Sequence, residues 1–157
     1  MPNINDAMSK LTHGVYIITT KAKDKINGMT AAWVSKVSFD PPLVMVAVGL
    51  GRYSHELMKE GKVFAVNVLD EKQIDIGKHF GTKSGRTVDK FKNIQHTTKV
   101  TGAPILKDAL AYLDCKLVST YEAGDHTLFI GEVVDADVLR EGKPQVFKHE
   151  DYFGRRK

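Results

Sequence analysis

Residues 27–48 read Asn-Gly-Met-Thr-Ala-Ala-Trp-Val-Ser-Lys-Val-Ser-Phe-Asp-Pro-Pro-Leu-Val-Met-Val-Ala-Val, and the fold is decided by their order. Asn27-Gly28 predicts a tight turn at positive φ, followed by small and hydroxylated residues broken only by Trp33 and Lys36. Small side chains leave the backbone approachable. Pro41-Pro42 cannot donate to a ladder and so punctuates the chain before Leu43–Val48, an unbroken apolar run that predicts a strand buried on both faces. Turn, polar strand, Pro-Pro corner and core strand form a rigid shelf suited to a planar polar ligand.

On the N-terminal side, residues 5–12 predict a short amphipathic helix with Ala7, Met8 and Leu11 on one side, packing across a barrel or onto a partner subunit. Gly14 ends it. Val15–Thr20 is β-branched and aromatic enough to be the first strand, and Lys21–Lys25 is polar enough to be a hairpin loop. On the C-terminal side, Gly49-Leu50-Gly51-Arg52-Tyr53-Ser54 precedes a helical pattern that Gly61 closes. Free N–H groups at such a helix start favour an anion, and Arg52 would add a planar donor fork. Ser54 reads either as an ordinary helix cap or as part of a phosphate cradle.

Val63–Leu69 predicts another strand, and Asp70–Gln73 opens a second helix with Ile74, Gly77 and Phe80 inward. Gly81–Phe91 is either a solvated connection or a lid over an anionic ligand. Residues 92–111 read as a hairpin-like excursion, and 111–121 and 127–138 as two long strands joined through Gly124-Asp125. His126 then stands at a strand start, where its role is structural or functional.

The chain has 157 residues, 42% hydrophobic and 27% charged, with a formal net charge of +4. This is the size and composition of one soluble domain, 1–157, and no apolar run is long enough to span a membrane. The N-terminus lacks the pattern of a signal peptide, so a cytoplasmic protein is expected. Scattered lysines, clustered only at Arg155-Arg156-Lys157, argue against nucleic acid binding. The single cysteine, Cys115, excludes an internal disulfide and alternates with Leu113 and Leu117 on one predicted strand face, the place of a buried structural thiol. No hydrolytic motif, Walker loop or dinucleotide fingerprint occurs, His79 and His96 lack companion ligands, and no metal site is expected. Such an inventory suits redox chemistry supplied by a cofactor.

Gly-Met-Thr-Ala followed by Val-Ser-Phe-Asp-Pro-Pro-Leu-Val resembles the signature of the flavin reductase-like family. Similar blocks recur in order at Phe64–Leu69, His79–Gly81, Ser84–Phe91 and Gly124–Val133, so the resemblance covers roughly residues 10 to 137. It implies a mainly β fold, the FMN-binding split β-barrel, as a closed antiparallel Greek-key barrel with a few short covering helices. It also implies tightly bound FMN, with NADH or NADPH as co-substrate. The shelf residues Met29, Thr30, Ala31, Ala32, Trp33, Ser35, Lys36 and Val48 would then border the isoalloxazine. Arg52, Tyr53, Ser54 and His55 would meet the phosphate or ribityl chain, with Phe80 and Ser84 near the cofactor and Lys83 or Arg86 available to anionic groups. Many relatives carry asparagine where this chain has Ala32. His126 would position the nicotinamide, oriented by Asp125.

The function implied is an oxidoreductase taking hydride from NAD(P)H and passing electrons to free flavin, a ferric complex or a partner protein, often as a homodimer. A non-catalytic FMN electron carrier similar to flavoredoxin shares the same shelf. Another planar phosphate ester, as in pyridoxamine phosphate oxidase-like relatives, is a third occupant. The C-terminal aromatics, residues 145–154, would cover the flavin edge or a dimer neighbour.

Overall fold

A computed structural model describes residues 2–154, so the basic cluster 155–157 lies outside the described residues. The order is helix α1 (Ile4–Met8), strands β1 (Tyr16–Ala22), β2 (Lys25–Ala31), β3 (Val34–Ser38) and β4 (Leu43–Gly49), then helix α2 (Tyr53–Gly61) and β5 (Val63–Val68). Helix α3 (Ile74–Gly81), the short strands β6 (His96–Thr97) and β7 (Ile105–Leu106), the long strands β8 (Ala111–Ala123) and β9 (His126–Val138), and helix α4 (His149–Phe153) complete it.

Seven strands form one antiparallel sheet in the order β2-β1-β5-β8-β9-β4-β3, while β6 and β7 pair separately within the predicted excursion. The expected closed barrel is corrected here: β2 and β3 are the two edges and no ladder joins them. They are nonetheless consecutive in sequence, separated only by Ala32 and Trp33. Three residue steps from Ala31 to Val34 reach at most about 11 Å, so the sheet must curl until its edges approach, leaving a seam at these two residues.

Because side chains alternate across a strand, β1 feeds two cores. Ile18 joins Val46, Val48, Phe64, Val66 and Phe129 in one, and Ile17 joins Val15, Leu69, Phe80, Phe91 and Leu106 in the other, beneath α3. The run Leu43–Val48 is β4 as predicted, with Val44, Val46, Ala47 and Val48 buried.

Several local expectations are overturned by tertiary packing. Asn27-Gly28 is not a turn but the middle of β2, paired with Thr20 and Thr19; the hairpin turns at Lys23, whose φ is 57°. Gly28 is small for another reason, since a Cβ there would lie 2.9 Å from the Phe80 ring and 3.3 Å from Phe91. Likewise Lys62, at φ 58°, takes the left-handed position after α2, while a Cβ on Gly61 would sit 1.9 Å from the Lys21 carbonyl oxygen. Ser54 does not cap α2; Arg52 holds the N-cap position without a side-chain bond. The N-terminal helix is only α1, with no buried residue, and Met8 and Leu11 are exposed rather than packed on the sheet. Cys115 is buried as predicted, on one face with Leu113 and Leu117, while Asp114 is buried on the other face, where its carboxylate accepts from Val100 and Thr101 N–H. Burial, then the neighbouring Asp114, pushes the thiol up to about 12.

Candidate functional site

Two adjoining cavities open along the seam. The larger, about 660 Å³, is walled by the end of β2 through Met29, Thr30 and Ala31, by Ala32 and Trp33, and by the turn after β4 from Gly49 to Arg52. Its other walls are Asp125 and His126, α3 at Gly77 and Gly81, and the C-terminal aromatics Phe147, Tyr152 and Phe153. The smaller, about 290 Å³, lies between Asn27, residues 51–54, residues 81–86 and Lys90. Met29, Gly51, Arg52, Gly81 and Thr82 border both, so one elongated ligand can occupy the pair. The larger volume falls within the usual range for small-molecule pockets and the smaller at its lower edge.

At the larger cavity, His126 opens β9 opposite Gly49, directly after the turn in which Gly124 takes φ 63°. Its Nδ1–H donates to the Asp125 carboxylate at 2.6 Å, which fixes the tautomer and leaves Nε2 as the acceptor in the neutral ring. That bond, then the His126 charge, holds the Asp125 carboxyl below its ordinary range. The Trp33 ring lies 4.6 Å from the His126 ring at 37°. Trp33 is anchored at the seam by its carbonyl, which accepts from Ala47 N–H at 3.0 Å.

The C-terminal segment reaches this cavity because Gln145 is tied to β5's exit, its Nε2 donating to the Asp70 carbonyl at 3.0 Å. Tyr152 donates its hydroxyl hydrogen to Gln145 Oε1 and stacks on Phe147. It lies so close over Gly77 that a Cβ there would touch its ring at 2.8 Å. The aromatics of residues 145–154 thus cover the cavity of their own chain.

The smaller cavity is cationic. Lys90 is 3% exposed, and its Nζ donates to the carbonyls of Gly28 at 2.8 Å and Phe80 at 2.9 Å. Among the described residues no carboxylate pairs with it. Burial, then the nearby Arg52 charge, lowers it from the usual 10.5 to about 8. An ammonium held this way lacks a counter-ion that an anionic ligand would supply. Arg86 is committed elsewhere, to Glu56 and across the Tyr53 ring at 5.0 Å. Lys83 donates to His79 Nδ1 at 3.2 Å.

Of the residues singled out from sequence, Thr30, Ala31, Ala32, Trp33, Asp125 and His126 meet at the larger cavity, and Tyr53, Ser54 and Ser84 at the smaller, with Met29 and Arg52 at both. Val48 and Phe80 do not face either; both are fully buried, Phe80 behind Gly28. His55 turns the other way, its Nε2 2.7 Å from Thr127 Oγ1 and its ring edge-on to Phe129. Burial, then Lys59, lowers its pKa. Ser35 and Lys36 stand exposed on β3, outside both cavities, with Lys36 5.8 Å over the Phe39 ring. Sequence reasoning read Asn27 as part of a turn, and reached Lys90, Thr82 and Tyr152 only as members of the segments 81–91 and 145–154, without singling out any of the three as a site residue. The Asp-Lys-Phe run marked the position of Lys90, but nothing in it signals burial. Among the described residues, no His, Cys, Asp or Glu cluster could hold a metal ion and no helix is long and apolar enough to cross a membrane.

A flavin reductase like domain model matches residues 8–155. High molecular weight rubredoxin of Moorella thermoacetica is 40% identical over 145 residues; the match covers 91% of this chain and 63% of that protein, so the chain spans less than two thirds of its relative. Ferric-chelate reductase (NAD(P)H) of Archaeoglobus fulgidus is 31% identical, over 94% of this chain and 87% of the relative. Among solved structures, the NADH:FAD oxidoreductase SgcE6 of Streptomyces globisporus C-1027 superposes with a TM-score of 0.87 at 30% identity, covering 99% of this chain and 94% of that one.

Proposed function

The chain belongs to the flavin reductase-like family of flavoprotein oxidoreductases, and from that premise we propose that it binds FMN, takes hydride from NADH or NADPH and passes electrons to free flavin, a ferric complex or a partner protein. The observation that carries the reading is the buried Lys90 ammonium, without a carboxylate partner, opening on a cavity continuous with a larger apolar one. A flat ring bearing a phosphate tail fits that pair of spaces. The ring would lie in the larger cavity against Thr30, Ala31, Ala32 and Gly49, whose small side chains let backbone groups approach it. The phosphate would lie in the smaller one, against Lys90, Arg52, Ser54 and Ser84.

Once bound, the flavin supplies the two-electron chemistry that these side chains lack. The chain's own work is placement. Asp125 holds the His126 ring by Nδ1, so that Nε2 faces the cavity as a hydrogen-bonding group for the nicotinamide carboxamide. Trp33 backs that ring, and Phe147, Tyr152 and Phe153 limit water access from the far side. The reading extends to a homodimer, since Val37, Phe39, Val118 and Tyr121 are all at least half-exposed, Phe39 at 89%.

The second reading, a non-catalytic FMN electron carrier, draws support from the C-terminal aromatics, which lie where a second ring would have to approach. Visible spectra of purified protein loaded with FMN, followed by anaerobic NADH and then NADPH, decide between the two. Bleaching supports the reductase, and a bound flavin that stays oxidised supports the carrier. Failure to retain FMN on gel filtration refutes both.

A further inference from the structure

Asn27 is 3% exposed and Ser54 1% exposed, and they meet side chain to side chain where β2 passes the start of α2. The Asn27 Nδ2–H donates to Ser54 Oγ at 2.9 Å. A hydroxyl has one hydrogen to give and lone pairs to receive with. When an amide N–H occupies the acceptor side, the hydroxyl hydrogen is directed away from Asn27. Among the described residues Ser54 makes no other side-chain hydrogen bond, and both residues line the smaller cavity beside Lys90.

The loop over the cavity passes close against Asn27. Residue 85 must be glycine to pass it, because a Cβ there would lie 2.2 Å from Asn27 Oδ1 and 3.0 Å from the Tyr53 ring. The loop over the cavity is therefore seated on the Asn27 amide. A leucine of similar size would fill the space equally well, so packing alone does not explain a polar residue here.

We propose that Asn27 is a positioning residue that makes the Ser54 hydroxyl an obligate donor into the smaller cavity, so that this site selects a flavin that carries a phosphate over one that lacks it. The assignment rests on the flavin reading above. Asn27 itself never needs to touch the ligand; it acts through Ser54, adding a directed neutral donor to the cationic Lys90 and Arg52.

The test compares FMN with riboflavin, which carries the same ring and ribityl chain without the phosphate. Affinities are measured by flavin fluorescence titration for the wild type, Asn27→Leu, Ser54→Ala and the double variant. Asn27→Leu should lower the FMN-to-riboflavin affinity ratio about fivefold to tenfold, less than the tenfold or more of a whole hydrogen bond to a charged group, because the Ser54 hydroxyl remains and only its orientation is lost. It should lower that ratio no further once Ser54 is replaced by alanine. Asn27→Asp, which keeps size and polarity, gives a second cycle in which the direct charge effect cancels between the wild-type and Ser54→Ala backgrounds, leaving the same coupling. Equal loss of FMN and riboflavin, or losses that add across the cycle, overturns the role of Asn27. Wild-type protein that binds neither flavin overturns the flavin reading, and this proposal with it.

Discussion

Replacing Lys90 by methionine is the sharpest probe of the proposed phosphate site in the smaller cavity. Two of the three Nζ hydrogens go to the Gly28 and Phe80 carbonyls, which leaves one for an anion. A hydrogen bond to a charged group contributes about 1.5–3 kcal/mol, and about 1.4 kcal/mol is tenfold in affinity. FMN should therefore bind roughly 10- to 150-fold more weakly to Lys90→Met, while riboflavin binds nearly as before. The variant should still fold, because the methylene stem keeps its packing, and loss of the two carbonyl partners is offset by removal of a desolvated charge. The pH dependence has a definite sign. In the ligand-free protein the lysine loses its proton near 8 instead of 10.5, so between those values the unfolded chain holds the extra proton and stability rises with pH. Binding of an anion works in the opposite direction, since it needs the charged form. The FMN-to-riboflavin affinity ratio should be level between about 7 and 8, above the second ionisation of the phosphate at about 6, and fall above about 8 by at most about tenfold per pH unit, and using the ratio cancels ionisation of the flavin ring itself. The measurement is the same fluorescence titration at stepped pH, for wild type and variant. A variant that keeps the wild-type ratio, or a wild-type ratio that does not fall above pH 8, would refute Lys90 as the phosphate's counter-ion.

Three further outcomes are expected. Gly28→Ala should cost about 1–3 kcal/mol by overpacking against Phe80, lowering the melting temperature by about 2–4 °C for each kcal/mol; Gly28→Asn should be worse still, whereas a positive-φ turn would tolerate asparagine better than alanine. Gly61→Ala should destabilise more than Gly28→Ala in the same thermal melts, because its new Cβ would meet the Lys21 backbone at 1.9 Å and not the side of a movable ring. His126→Ala should slow anaerobic reduction by NADH with FMN affinity nearly unchanged, and an unaltered stopped-flow rate removes His126 from nicotinamide placement.

The sheet is legible in the sequence where alternation is strong and local. The two long strands are expected at 111–121 and 127–138 and are found at Ala111–Ala123 and His126–Val138, with His126 at a strand start as expected. Reasoning from sequence fails where a residue answers to something distant along the chain. Asn27-Gly28 has the composition of a turn, yet Gly28 is small to admit Phe80, fifty-two positions later, and Asn27 is polar to meet Ser54. Ser54 has the look of a cap when the helix start is placed by pattern, and a shift of the cap to Arg52 moves the hydroxyl into the interior. Lys90 gives no signal because a lysine in a charged loop is ordinarily solvated, and only the folded chain shows it sealed beneath two carbonyls. The shelf that lines the larger cavity is marked by resemblance, but resemblance does not separate the residues that line the cavities from Val48, Phe80 and His55, which lie outside both linings.

Trp33, the chain's single tryptophan, stands half-exposed at the seam with its ring against His126 and its edge on the larger cavity. All indole emission therefore originates at one known point on the cavity wall. An aromatic ligand entering that space would lie within the short range over which excited indole transfers its energy, and the protein's ultraviolet glow would dim as the cavity fills. The fold has placed its own optical gauge on the cavity wall, so the arrival and departure of the proposed flavin could be timed on unlabelled protein, and those of the proposed nicotinamide by the same signal.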